Sequence, residues 1–190
     1  MTEVFKKERN KGFSLVELII VIAIMAVLVA IVAPSFLNKI ERAREAYDIT
    51  TMRQAADAAT ELLYSGINKD NAAEYGLTWW GPPNANAAGA YDPTSGKFYA
   101  TRQALPENVK HYGKGTTQDG KTTLVMGNPT GAYLSTADYT DAVLMVSIYP
   151  NANPSYALVY WKNNYDKNAT YVGGQASTNV PKYSIKIILQ

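Results

Sequence analysis

The chain has 190 residues, 18 of them basic and 16 acidic, for a formal net charge of +2. That near balance leaves no global field to draw in nucleic acid or another polyanion. It contains no cysteine, which excludes a disulfide framework, a thiolate zinc site and a thiol nucleophile.

Charge is uneven along the chain. Lys6, Lys7, Arg9 and Lys11 outweigh Glu3 and Glu8 directly ahead of an apolar run. The positive-inside rule retains such an excess in the cytoplasm and places the chain beyond the run across the membrane. Leu18 to Phe36 is 19 residues long and is interrupted only by Pro34 and Ser35, close to the roughly 20 that span a bilayer as a helix. A cleaved secretory signal is the alternative, with Ala30 to Ala33 imitating its small-residue site. Two features oppose it: Glu17 lies near the start of the apolar segment, and a helical pattern continues past Pro34 without a loop.

An ionised acid at the centre of a bilayer costs about 2.5–3.5 kcal/mol on insertion scales, so Glu17 calls for a partner. The Gly12-Phe13 bond offers one. Glycine lets a backbone enter a tight protease groove with no side chain in the way. Hydrolysis there leaves a free amine on Phe13, four residues before Glu17. That amine can belong to the same chain or to an adjacent subunit.

Lys11-Gly12-Phe13-Ser14-Leu15-Val16-Glu17, followed by 14 apolar residues from Leu18 to Ile31, resembles the processing signature of type IV pilins and pseudopilins. The resemblance implies that a membrane prepilin peptidase cleaves between Gly12 and Phe13 and N-methylates Phe13. It implies that Glu17, the fifth mature residue, pairs with the N-terminus of a subunit already in a filament. It also implies local melting of the helix near Pro34, where the missing N–H and the ring clash kink or loosen a helix over Ala30 to Pro34. Family members often carry a second proline further along; Gln54 stands in that region here.

Beyond Asn38 the pattern turns amphipathic. Ile40, Ala43, Tyr47, Met52, Ala55, Ala56, Ala59, Leu62 and Leu63 fall close to helical spacing. Lys39, Glu41, Arg42, Arg44, Glu45, Asp48, Arg53, Asp57 and Glu61 mark the other faces. Gly66 is placed to cap the C-terminus. Phe13 to Ser65 is therefore predicted as one helix roughly 80 Å long. The expected divisions are a leader over 1–12, a membrane or filament-core helix over 13–37, its amphipathic half over 38–65, and a head over 66–190.

Asn68 to Gly120, rich in Gly, Asn, Ala, Pro and Thr, reads as a long irregular connection with some local order. Trp79-Trp80 within it fits packing over the core better than a ligand platform. Thr122 to Met126, Ala142 to Tyr149, Tyr156 to Lys162 and Tyr183 to Leu189 are β-branched and aromatic runs separated by turn residues. The predicted fold is α+β, the long helix packed against an antiparallel sheet of about four strands.

No catalytic constellation is visible. His111 is the sole histidine and reads as a surface or loop residue. Gly113-Lys114-Gly115 is too short for a phosphate loop. Asp138, Asp141 and Asp166 lack the spacing of a calcium loop, and Asn168-Ala169-Thr170 is a nominal glycosylation sequon. Neither an enzyme activity nor a cofactor or metal is expected.

The resemblance thus implies a pilus subunit that polymerises with copies of itself into a surface filament for adhesion, aggregation or motility. Membrane lipid surrounds its helix before assembly, and an assembly ATPase and platform protein join the peptidase as partners. The absence of cysteine, the strand-forming C-terminus and the Asn-rich head lean towards a Gram-positive, clostridial-type surface pilin. A pseudopilin of a secretion or DNA-uptake machine is the nearest alternative. A membrane-anchored, monomeric carbohydrate-binding module is a third, motivated by Trp79, Trp80 and the tyrosines.

Overall fold

The computed structural model describes residues 12–82, 85–109, 111–113, 141–163, 171–172, 175–177, 180–181 and 184–189. Helix α1 spans Leu15–Tyr64 as one element that includes Pro34. The chain divides into two compact units, Met1–Ile40 and Glu41–Gln190.

In the second unit, α1 buries Asp48, Thr51, Met52, Ala55, Ala56, Ala59, Leu62 and Leu63. Steps of three and four residues put these side chains on one face. Two assignments from sequence change here. Tyr47 stays 60% exposed and Ala43 is exposed as well, because counting back from Met52 by 3.6 residues per turn reaches Asp48 and passes both by. Asp48, read as marking one of the other faces, is 1% exposed. Both of its carboxylate oxygens lie 3.0 Å from the Gly113 amide, which donates to them.

The end of α1 is a Schellman motif. Gly66 takes φ 77°, its N–H donates to Leu63 O at 3.2 Å, and the Ile67 N–H donates to Leu62 O at 3.1 Å. Ile67 is buried beside the last turn of the helix, the apolar contact that accompanies this cap.

Six strands form the main sheet: β1 Thr78–Trp80, β2 Asn86–Asp92, β3 Lys97–Tyr99, β4 Val143–Tyr149, β5 Tyr156–Lys162 and β8 Ile185–Ile188. The order is β1-β2-β4-β5-β8, with β3 also on β2, and every pairing is antiparallel. A separate two-stranded ribbon pairs β6 Gln175–Ser177 with β7 Val180–Pro181. The α+β fold with an antiparallel sheet is as predicted, and the sheet is larger than four strands. Of the four predicted runs, three become β4, β5 and β8; Thr122 to Met126 and Tyr183 lie outside the described residues. The additional strands β1, β2 and β3 come from the stretch read as an irregular connection.

Alternation decides the two faces of the sheet. Leu144, Val146 and Ile148 of β4 and Ala157, Val159 and Trp161 of β5 join the α1 residues in one core cluster. The intervening residues form the opposite face. There the Tyr149 and Tyr156 rings stack at 4.5 Å, and the Lys186 ammonium sits 4.1 Å from the Tyr156 ring centre. The Tyr160 hydroxyl meets Ser147 Oγ at 3.1 Å, and burial pushes the Tyr160 phenol up to about 12.

Candidate processing and assembly site

The apolar segment Leu15–Leu37 is 23 residues long, long and apolar enough to cross a membrane, and none of it is buried. At 1.5 Å per residue it covers roughly 35 Å, more than the roughly 30 Å of a bilayer's hydrocarbon core. Every described residue from Gly12 to Leu37 is exposed. An apolar surface of that extent is stable only against lipid or other apolar helices. Glu17 is its single charged residue.

Glu17 is the third residue of α1, so it belongs to the first turn rather than to the middle of the span. A negative charge is favoured there by the helix dipole. Gly12, Phe13 and Ser14 precede the helix without regular structure. The Gly12–Phe13 bond is therefore outside the helical hydrogen-bond ladder, and Phe13 is 93% exposed. A Cβ placed on Gly12 would meet nothing within 4 Å. Both sides of the proposed scissile bond are thus open to a protease.

The start of α1 is held by local hydrogen bonds. The Ser14 N–H donates to Glu17 Oε2 at 2.9 Å, and the Val16 N–H donates to Ser14 Oγ at 3.3 Å. The first turn closes with the Leu18 N–H on Ser14 O at 3.2 Å. Glu17, at the third helical position, makes its half of a capping box with the Ser14 N–H, while the Ser14 hydroxyl caps the second helical amide, Val16, instead of the third. The box's sequence signature, Ser-x-x-Glu ahead of an apolar run, is plainly present, and Ser14 joins Gly12, Phe13 and Glu17 as a site residue on that ground. Pro34, the fourth residue singled out, lies within α1 at some distance along the chain from this constellation.

Among the described residues, the head groups considered for binding do not converge. Trp79 packs partly buried on the core cluster, while its neighbour Trp80 is 60% exposed. Adjacent strand residues point to opposite faces, so the two indoles make no joint platform for a sugar. His111 Nδ1 lies 3.8 Å from Asp141 Oδ1. Gly113 serves Asp48 as a hydrogen-bond donor. Among the described residues no three His, Cys, Asp or Glu side chains are grouped to hold a metal ion. Lys114, Gly115, Asp138, Asp166 and the sequon at Asn168 lie outside the described residues.

Residues 7–33 match the family model of the prokaryotic N-terminal methylation motif. That motif is typical of the precursors of type IV pilins and pseudopilins. No curated protein and no solved structure matches the chain.

Proposed function

We propose that this protein is a structural subunit of a type IV pilus. A prepilin peptidase hydrolyses the Gly12–Phe13 bond and methylates the amine it releases. The subunit waits in the cytoplasmic membrane with its head outside, then polymerises through the Phe13–Leu37 segment into a surface filament. The observation that carries this reading is an exposed apolar helix with one carboxylate, at Glu17, within a matched methylation motif.

The chemistry rests on two charges. Before assembly, lipid surrounds the apolar face and Glu17 is held at the helix start. In a filament, identical helices replace the lipid, and small residues such as Ala23, Ala26 and Ala30 permit their close approach. The Glu17 carboxylate then accepts from the Phe13 amine of an adjacent copy. An anion and a cation buried together cost far less than either buried alone. This role is structural rather than catalytic. An assembly ATPase and a platform protein supply the work of extraction.

A pseudopilin of a secretion or DNA-uptake system is the second reading, because its precursors share the motif. The large head, in a chain with 14 tyrosines, favours a surface pilus. Immunoelectron microscopy of intact cells with antibody to the head separates the readings. Long surface filaments carrying label support the pilus. Label confined to the envelope supports the pseudopilus, and diffuse surface label without any filament removes the polymer reading altogether.

A further inference from the structure

We infer that Ser14 is a positioning residue for assembly, and that Glu17 acts through two separable properties, its acceptor oxygens and its charge. The inference rests on the filament reading. Three bonds meet at Ser14: its N–H on Glu17 Oε2 at 2.9 Å, its Oγ under the Val16 N–H at 3.3 Å, and its carbonyl under the Leu18 N–H at 3.2 Å. Together they set where α1 begins and turn the Glu17 side chain back towards the chain start.

The atom that Glu17 already contacts is the amide of the residue next to Phe13. Hydrolysis after Gly12 therefore creates an amine one residue from the amide that this carboxylate already holds. An ionised carboxylate has about four lone-pair sites, so it can keep the Ser14 amide while it accepts the amine of an adjacent copy. The cap thus gives Glu17 a donor while the subunit waits in lipid, and it presents the same group when a filament end arrives. Serine supplies this through its hydroxyl, which competes with helix propagation and suits the cap rather than the interior.

Four variants of the full-length protein separate the roles. Glu17→Gln keeps an acceptor oxygen, and glutamine serves a capping box as glutamate does, but it has no charge. Glu17→Ala lacks both properties. Ser14→Val removes the hydroxyl while keeping a β-branched shape, and Ser14→Thr restores the oxygen on that shape. Amide hydrogen exchange is measured on the uncleaved chain in lipid nanodiscs, and surface filaments are counted on cells.

The Val16 amide should exchange about five-fold faster in Ser14→Val and regain its protection in Ser14→Thr, with filament number falling and recovering in step. Glu17→Gln should keep the Ser14 amide protected yet make no filaments, whereas Glu17→Ala should lose both. Normal filament number in Ser14→Val would overturn the positioning role, even with faster exchange. Loss of Ser14 protection in Glu17→Gln equal to that in Glu17→Ala would overturn the separation. Absence of filaments from the unmodified protein would instead sink the pilus reading, while the exchange pattern would still judge the cap.

Discussion

Glu17 and Asp48 are placed where a lone acid would be costly, and each accepts from a backbone amide. Glu17 takes the Ser14 amide inside an otherwise apolar segment, and Asp48 takes the Gly113 amide inside the head. The consequences of removing them differ. Glu17→Ala should stop filament assembly and leave hydrolysis after Gly12 largely intact, read as a normal mobility shift on immunoblots without filaments by electron microscopy. A variant that assembled at the usual level would rule out the pairing role. Asp48→Ala should instead lower the stability of the head by about 1–3 kcal/mol, since it strands the part-buried Gly113 N–H donor. Thermal unfolding of the full chain in detergent, monitored by tryptophan fluorescence, measures this. Asp48→Asn should lie between, because its amide oxygen still accepts.

Among the elements, the edge formed by β1 and β3 is tightly constrained. The two strands share one side of β2, and the Thr78 hydroxyl donates to Ala100 O at 3.1 Å across the gap between them. Gly76 has φ 73°, and a Cβ there would collide with the Phe98 carbonyl. Gly89 in β2 would bring a Cβ to 2.6 Å from Tyr99 O and 2.8 Å from the Leu77 side chain. Gly76→Ala should therefore cost more than about 2 kcal/mol, adding left-handed strain to the collision. Gly81→Ala, where a Cβ meets nothing within 4 Å, is the control in a urea titration. An equal midpoint for both would refute the packing account.

The turn that joins β2 to β3 is organised by Asp92. Its carboxylate accepts from the Thr94 N–H at 2.9 Å and the Ser95 hydroxyl at 2.6 Å. Burial alone would push its carboxyl up; these hydrogen bonds, with one from the Ser95 amide, outweigh it and hold the group below the ordinary carboxylate value. A depressed acid in the folded state stabilises fully above the unfolded value, about 3.9, and that contribution fades as pH falls through the lower folded value. The melting temperature should accordingly decline more steeply below about pH 4 in the parent than in Asp92→Asn. Parallel declines would show that the turn contributes no such term.

At the scale of the whole molecule, one chain carries a unit that no water-facing protein tolerates and a head with its own core. The first, Met1–Ile40, exposes its apolar segment completely. The second, Glu41–Gln190, buries its hydrophobic residues between α1 and a six-stranded sheet. On the proposed reading, such a protein sits in lipid first and in a polymer afterwards. Intact-mass spectrometry of purified filaments should find chains beginning at N-methylated Phe13. Chains that retain Met1 to Gly12 inside assembled filaments would contradict processing before polymerisation.

Whatever depends on residues a few positions apart was decided by the sequence itself. The apolar run, the acid within it, the Gly12–Phe13 bond, the Ser14-x-x-Glu17 cap and the Gly66 terminator act within a turn or two of chain, so their spacing is their physics. The alternating runs behind β4, β5 and β8 were legible for the same reason, since one buried face imposes a period of two. Tertiary structure alone decided what distance in sequence conceals. Asp48 is buried against an amide 65 residues away. The Asn-, Ala- and Gly-rich β2 is a strand because β1, β3 and β4 pair with it, and at Gly89 Tyr99 and Leu77 come too close for a larger side chain. Small residues carry little strand propensity of their own, so only the packing around them shows why they are there.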